Sequence, residues 1–224
     1  MQRCQPASLR LIDNEQFKMG QFLKERLGVI GAIAEFAKMQ YLTKIKGIDI
    51  DSMCVAILVF EGAKEDVEFQ ERKVYDIAVK KFGGILAGRR NGERGYKLTF
   101  AIAYVRDFCL SYGILGDSFE TSVPWDKTLS LCRNVKYRVV QECKKWGISH
   151  FIISCRVTQV YDAGSCVYFY LAFNARDVIK TNTGSSPAKD PFEVFHCIEE
   201  KARDEILASG GSLSHHHGIG KVFT

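Results

Sequence analysis

Two neighbouring segments, 150–160 and 166–174, constrain the fold of this chain more than any other feature of its sequence. In the second segment, strongly apolar side chains occupy every other position, at Val167, Phe169, Leu171 and Phe173. An alternation with a period of two predicts a β-strand whose two faces meet different surroundings. The short turn 162–164, Asp-Ala-Gly, is typical of a connection between antiparallel strands. The two segments therefore predict a hairpin with a core face and a semi-polar face, and Arg156 and Tyr168 lie on the semi-polar one.

The segments on either side of this hairpin show mainly the 3.6-residue periodicity of amphipathic helices. We predict helices over 15–38, 63–82, 96–112, 125–146 and 192–208, with 96–112 well buried, and one further buried strand over 53–60. The polar, glycine-containing segments 89–95 and 177–190 are predicted to be loops. This order of elements predicts an α+β fold, an antiparallel sheet flanked by helices, in one domain over 1–224.

The composition excludes several classes of protein. With 224 residues, of which 46% are hydrophobic and 25% charged, the chain can bury a core without support from disulfides or metals. The net charge of +5 is scattered, with no block of five like charges, so we expect no nucleic-acid partner. The longest apolar runs, 53–60 and 166–173, have eight residues, fewer than half of the roughly 20 that a membrane-spanning helix needs.

The eight cysteines contain no Cys-x-x-Cys pair, and the amino-terminal residues contain no apolar stretch typical of a secretory signal. We therefore expect reduced cysteines, and seven of them fall in apolar periodic segments. These seven are interpreted as small hydrophobic core residues rather than as zinc ligands or disulfide partners.

The segment 210–221 places three of the five histidines, His215, His216 and His217, between glycines that allow unusual backbone conformations and close approach of a ligand. This composition predicts a functional loop, with a surface histidine run or an expression tag as the alternatives. His215 and His217 would share one side of an extended segment and could bind zinc, but no third ligand or orienting carboxylate is identifiable nearby. We therefore predict no metal site.

Arg106 interrupts the apolar segment 96–112, where a buried guanidinium without a partner would be costly. We expect an anion beside it, either an internal carboxylate such as Glu120 or the carboxylate or phosphate of a ligand. Tyr168 and Tyr170 leave a similar choice open, because strand tyrosines often pack with the hydroxyl at the rim of the sheet. Periodicity does not separate the structural from the functional alternative at these positions.

Several motifs resemble the alkylglycerone-phosphate synthase family, a branch of the vanillyl-alcohol-oxidase-like flavoproteins. They are QPASLRLIDN (5–14), NGERGY (91–96), AYVRD (103–107), GDSFETSVPWD (116–126), CRVTQ (155–159), YDAG (161–164) and SLSHHHG (212–218). The resemblance implies the cap, or substrate, domain of a two-domain FAD-dependent enzyme, with 210–221 returning toward the flavin. It also implies that the amino-terminal FAD-binding domain is missing from this chain, which alone is expected to be inactive.

The resemblance further implies a function. Such enzymes exchange the acyl group of acylated dihydroxyacetone phosphate for a long-chain fatty alcohol in ether lipid synthesis, through an adduct at flavin N5. By the motif match, Tyr168 is similar to the proton donor and acceptor, Arg106 and Arg10 to substrate-binding residues, and His215, His216 and His217 to residues that support activity. A phenol needs cationic neighbours to act as a base near neutral pH, and we expect Arg and His side chains to lower the pKa of Tyr168 in this way.

The family setting implies FAD as cofactor, a peroxisomal location, possible peripheral membrane association and a homodimeric full-length enzyme. Two alternatives stay open. One is the cap domain of an FAD-linked 2-hydroxyacid dehydrogenase, although the Glu-His pair typical of those proteins is absent from the histidine segment. The other is a non-catalytic truncated product.

Overall fold

The computed structural model describes residues 4–22, 37, 40–181 and 190–218. Within these residues, five strands form one antiparallel sheet in the order β2-β1-β4-β5-β3. The strands are β1 (Ser8–Ile12), β2 (Val55–Val59), β3 (Ile114–Pro124), β4 (Phe151–Val160) and β5 (Gly164–Asn174). The long strands β3, β4 and β5 pair along most of their lengths, with β5 between β4 and the edge strand β3.

Helices flank this sheet, as the periodicity predicts. They are α1 (Asn14–Phe22), α2 (Lys64–Asp76), α3 (Arg89–Ser111), α4 (Trp125–Lys145), α5 (Ala175–Thr181) and α6 (Pro191–Ala208), with π-helical turns at Tyr41–Ile45 and Ile77–Lys81. α6 begins where the Asp190 side chain accepts a hydrogen bond from the backbone N–H of Phe192, with Pro191 in the first turn. An N-cap acceptor followed by proline is a common start signal for a helix.

The core lies between one face of the sheet and the helices α4 and α6. Val135 and Val139 of α4 and Ile198 of α6 are fully buried against Phe169 and Leu171 of β5. The rings of Phe119 and Phe169 stack with centroids 5.4 Å apart. The opposite face of the sheet is therefore left free of these two helices, and it carries the polar side chains discussed below.

The hairpin, the α+β class and the antiparallel sheet are confirmed, as are the strand at 53–60 and the helices over 63–82, 125–146 and 192–208. The predicted helix over 15–38 begins as α1, and residues 23–36, 38 and 39 lie outside the described part of the chain. No stretch of the described helices is long and apolar enough to cross a bilayer.

Several predictions about local structure are wrong. The segment 89–95 is the first part of α3 rather than a loop. Gly95 lets this part of the helix lie close to β2, since a Cβ there would be 2.6 Å from Cδ1 of Ile57. The described side chains of the second half of α3 are not well buried, since Tyr104, Phe108 and Leu110 are exposed.

Two strands and one helix were not predicted. β1 and β3 are absent from the sequence-based assignment, and 177–181 belongs to α5 rather than to a loop, whereas 182–189 lies outside the described residues. The interpretation of the cysteines holds for Cys143 and Cys166, which are buried, and is wrong for Cys54 and Cys197, which are exposed.

Candidate active site

The polar face of the sheet brings three polar side chains into one row. Tyr168 on β5 pairs directly with Glu120 on β3 and with Arg156 on β4. Directly opposed residues in neighbouring strands project from the same face of a sheet. The row therefore places a carboxylate, a phenol and a guanidinium side by side.

The loop after α6 crosses to the end of β3 and covers this row. The backbone N–H of Ser212 donates to the carbonyl of Ser122 at 2.9 Å, and the Thr121 hydroxyl donates to the carbonyl of Ser212 at 2.7 Å. Gly211 permits this approach, because a Cβ there would lie 2.6 Å from Oγ1 of Thr121 and 2.7 Å from Cδ1 of Leu131. The loop is thus held against the sheet immediately before the three histidines.

Glu120 anchors the histidine loop through one carboxylate oxygen. Its Oε1 accepts backbone N–H bonds from His215, His216 and His217 at 3.1, 2.7 and 2.8 Å, and a bond from the Ser214 hydroxyl at 3.1 Å. Burial favours a higher pKa for Glu120, but these donors outweigh it and lower the pKa to about 2. Glu120 is therefore an anion that fixes the backbone of the loop.

The loop aims two imidazoles at the phenol of Tyr168. Nε2 of His216 lies 3.0 Å, and Nε2 of His217 lies 3.1 Å, from the Tyr168 hydroxyl. His215 turns the other way, with Nε2 2.8 Å from the hydroxyl of Tyr161. A phenol between two imidazoles can donate its proton to one ring while it accepts a proton from the other.

The expected lowering of the Tyr168 pKa is wrong for this chain. Burial, followed by the nearby charge of Glu120, raises the pKa of Tyr168 to about 12, and the guanidinium of Arg156 offsets only part of this rise. The sequence motif suggested cationic neighbours but could not reveal the anion on the adjacent strand. Tyr168 is therefore a neutral phenol near neutral pH.

A cleft of about 530 Å³ opens beside this row, between residues 5–10, the second half of β4 and Tyr168 of β5. Arg10, Arg156, Tyr168 and His216 line it. The Arg156 guanidinium lies over the ring of Tyr170, 4.9 Å from its centroid, and 5.7 Å from that of Tyr168. Two arginines, a phenol and an imidazole in one cleft suit an anionic ligand.

Arg106, in contrast, does not line this cleft. It lies on α3 with its side chain 61% exposed, and its guanidinium nitrogens are 3.8 Å from carboxylate oxygens of Asp107 and Asp117. The expected anion is therefore present, but it is not Glu120, which anchors the histidines instead. The expectation of a buried Arg106 fails because this side of α3 faces solvent.

The anchoring role of Glu120 and the cleft positions of Arg156 and Tyr161 were not predicted from the sequence. The alternation of β4 placed Arg156 on the semi-polar face, which is the signal that identifies it. Glu120 had no comparable signal, because its position opposite Tyr168 depends on the unpredicted strand β3.

The sequence and the fold of this chain match those of known proteins. The profile of FAD-linked oxidases, C-terminal domain, matches residues 1–222. The chain belongs to this family. Its first 222 of 224 residues are thus covered by a domain that its relatives use together with FAD, and the α+β architecture with an antiparallel sheet is that of the family.

Individual relatives of this FAD-linked oxidase domain share one name. An alkyldihydroxyacetonephosphate synthase of Caenorhabditis elegans is 51% identical over 99% of this chain and 36% of its own length. One from Dictyostelium discoideum is 30% identical over 96% of the chain and 33% of its own length. A solved structure of alkyldihydroxyacetonephosphate synthase superposes with a TM-score of 0.70 at 25% identity, covering 94% of this chain and 36% of that one. The chain therefore spans about a third of the length of these relatives.

Proposed function

We propose that this chain forms the substrate-binding part of an alkyldihydroxyacetonephosphate synthase, also called alkylglycerone-phosphate synthase. The reaction converts acylated dihydroxyacetone phosphate and a long-chain fatty alcohol into the alkyl ether and a free fatty acid, as a step of ether lipid synthesis. The 51% identity to a synthase supports the assignment. The observation that carries it is the contact of His216 and His217 with the Tyr168 hydroxyl, because it forms a proton relay on the open face of the sheet.

Tyr168 is proposed to remove and return a proton at C1 of the substrate. Since the pKa of its phenol is raised to about 12, Tyr168 serves directly as a proton donor. It becomes a base only when its own proton moves to Nε2 of His216 or His217, each about one hydrogen bond away. The histidines therefore complete the role of Tyr168, and Glu120 holds them in place through the loop backbone.

The phosphate of the substrate is proposed to bind to the arginines of the cleft. Arg10 and Arg156 both line it on the side of Tyr168. Burial lowers the pKa of Arg156, but a guanidinium remains charged at neutral pH, so both residues offer planar pairs of N–H donors. Arg106 is proposed to contribute to substrate binding from α3, at the position that its motif implies.

FAD fits the chemistry of the side chains in this cleft. His216 and His217 are about half exposed, so their rings are accessible to a planar group that covers the Tyr168 face. FAD supplies, when it is bound, the redox-active ring system of the family. Tyr168, His216 and His217 are the residues of this chain that would lie beside it.

We further propose that the complete enzyme is a homodimer in peroxisomes that associates peripherally with membranes. The family assignment supports the location. The proposed substrates, a fatty alcohol and an acylated phosphate, are amphiphilic. This property supports association of the enzyme with a membrane surface.

A chimera tests the proposal directly. The corresponding third of the Caenorhabditis elegans synthase is replaced by this chain, and incorporation of labelled fatty alcohol into alkyl dihydroxyacetone phosphate is measured. We expect exchange activity and bound flavin in the chimera, and neither in the chain by itself. A folded, flavin-containing chimera without exchange activity would refute the function, whereas oxidation of a 2-hydroxyacid instead would favour the dehydrogenase alternative.

A further inference from the structure

The second carboxylate oxygen of Glu120 faces a group of atoms that the proton relay does not use. Oε2 of Glu120 lies 2.8 Å from Nδ1 of His216 and 3.9 Å from Nδ1 of His215. The two Nδ1 atoms are 3.0 Å apart. Three possible metal ligands thus converge on one point, on the side of the imidazoles that faces away from Tyr168 and Tyr161.

We propose that Glu120, His215 and His216 form a zinc-binding site, in contrast to the prediction from the sequence, in which the carboxylate ligand on β3 could not be identified. Zinc is bound by imidazole nitrogen and carboxylate oxygen at about 2.0–2.2 Å in tetrahedral geometry, which separates neighbouring ligands by about 3.3 Å. The three observed separations of 2.8, 3.0 and 3.9 Å lie around this value. Side-chain adjustments that change these separations by about half an ångström would bring all three atoms into coordination.

The hydrogen bonds of the outer nitrogens favour this arrangement. The Tyr161 hydroxyl also contacts Oε1 of Gln159, an oxygen that can only accept, so Tyr161 donates to Gln159 and accepts from Nε2–H of His215. With its proton on Nε2, His215 presents an unprotonated Nδ1 to the cluster. Metal-binding histidines characteristically donate their other N–H to such an acceptor.

His216 can adopt the same state through Tyr168. Without metal, a proton on Nδ1 of His216 can bridge to Oε2 of Glu120 and to Nδ1 of His215. Zinc would replace the proton on Nδ1 of His216. His216 would then be protonated on Nε2 and would donate this N–H to the Tyr168 oxygen. The Tyr168 hydroxyl would then donate to Nε2 of His217, which lies 3.1 Å away.

The two carboxylate oxygens of Glu120 have different partners, so zinc could bind to one oxygen while the other continues to hold the histidine loop. Oε1 is occupied by the three backbone N–H groups and the Ser214 hydroxyl, whereas Oε2 faces the histidine rings. The side chain of Glu120 is only 2% exposed, so a cation beside it would meet a poorly solvated anion. The 45% exposure of the His216 side chain leaves room for solvent as a fourth ligand.

His217 provides a matched control, because it belongs to the same loop but not to the cluster. Its Nδ1 is nearest to Oε1, at 3.7 Å, and its Nε2 contacts Tyr168. Variants His215→Ala, His216→Ala and His217→Ala remove equal imidazoles from neighbouring positions. Tyr161→Phe and Tyr170→Phe form a second matched pair. The Tyr161 hydroxyl accepts a hydrogen bond from the proposed ligand His215, whereas Tyr170 contacts none of the proposed ligands.

The experiment is a titration of the 224-residue chain with zinc chloride, followed by calorimetry, after removal of metals with a chelator. The thiols that are exposed, Cys54 and Cys197, are first alkylated so that they do not bind the metal. We expect one zinc per chain with micromolar affinity. His215→Ala and His216→Ala should each weaken binding by about tenfold or more. Tyr161→Phe should weaken it by about tenfold, as expected when a metal-binding histidine loses the hydrogen-bond partner of its other nitrogen.

Circular dichroism establishes that each variant is folded, which is expected because all three rings are at least partly exposed. Retained affinity in His217→Ala and Tyr170→Phe, with loss in the other three variants, supports the site. An equal loss in all three histidine variants would indicate unspecific binding to a histidine run and overturn the proposal. Absence of zinc binding to the folded chain would overturn it as well, without bearing on the exchange activity of the chimera.

Discussion

Two buried carboxylates anchor histidines in this molecule, and they do so in closely similar ways. Oδ2 of Asp177 on α5 accepts the backbone N–H groups of Ser149 and His150 at 3.1 and 2.9 Å, and contacts the Ser149 hydroxyl and Nδ1 of His150 at 3.0 Å each. Glu120 holds the loop of His215, His216 and His217 with the same kinds of donor. The pKa is lowered to about 2 at both carboxylates, against the effect of burial.

The two regions differ in what lies on the far side of the histidines. The His150 side chain is 75% exposed and its ring contacts Ser149 and Asp177 of its own anchor. The rings at Glu120 instead reach the hydroxyls of Tyr161 and Tyr168, in a cleft that also holds two arginines. A buried carboxylate that accepts several N–H bonds therefore has a structural role in both regions. The groups that the histidine rings contact determine whether the region can also transfer protons.

The largest effect on activity is expected at Tyr168, because only the Glu120 region has a phenol in contact with its histidines. In the chimeric enzyme, Tyr168→Phe should reduce alcohol exchange by about 10²-fold or more, because it removes the oxygen between the substrate and both imidazoles. Tyr170→Phe, on the same face, should be much milder. Exchange of labelled alcohol and of the C1 hydrogen with solvent measures both. Near-parental rates for Tyr168→Phe would defeat the proton-transfer role, and a loss in Tyr170→Phe alone would assign it to that residue.

The next largest effect compares the two anchoring carboxylates, Glu120 and Asp177, in their influence on activity. Glu120→Gln should lower exchange by about tenfold or more, since a displaced loop misplaces His216 and His217 relative to Tyr168. Asp177→Asn removes a comparable charge from the other anchor and should leave exchange unchanged. The ratio of the two rates, at equal flavin content, is the measurement. Equal losses in both variants would mean that the effect comes from general destabilisation.

Both anchors should contribute to stability in a pH-dependent way. The pKa falls from 4.5 to about 2 at Glu120 and from 3.8 to about 2 at Asp177. A lowered folded-state pKa gives stability that is complete above the unfolded value and is lost as the pH falls toward the folded value. Hydrogen bonds to a charged group typically contribute about 1.5–3 kcal/mol.

We therefore expect the free energy of unfolding of this chain to fall between pH 4.5 and about 2. The fall should be smaller in Glu120→Gln and in Asp177→Asn, with the larger difference at Glu120. Urea unfolding at a series of pH values measures it. Parallel curves for the parent and both variants would show that neither carboxylate is linked to acid unfolding.

The fold was predictable where local pattern and tertiary environment agree. The alternation at 166–174 is uninterrupted, because β5 is central and one of its faces packs on α4 and α6. β3 is as long as β5 but lies at the edge of the sheet, and Gly116, Asp117 and Ser118 break its apolar pattern, whereas β1 has only five residues. Their pairing partners are distant in the chain, so no local signal identifies these strands.

The candidate site was predictable to the extent that it depends on motifs. The histidine segment was predicted to be a functional loop, and the structure places His216 and His217 in contact with the Tyr168 hydroxyl. The pKa of Tyr168 and the anchoring role of Glu120 were not predictable, because both depend on the register between β3 and β5. Side chains 48 positions apart in sequence meet only once that register is known.

The smallest effect concerns Arg106, whose proposed role in substrate binding rests on its motif. In the chimera, Arg106→Lys should raise the KM for the acylated phosphate by up to about tenfold, since lysine keeps the charge but loses the planar pair of donors. Stability should change by less than about 1 kcal/mol, because the contacts of Arg106 with Asp107 and Asp117 are exposed. Arg89→Lys, at another exposed ion pair 4.0 Å from Glu71, is the matched control on the same helix. If the two variants gave the same KM, Arg106 would be a surface ion pair like Arg89, and the arginines of the cleft, Arg10 and Arg156, would bind the phosphate without it.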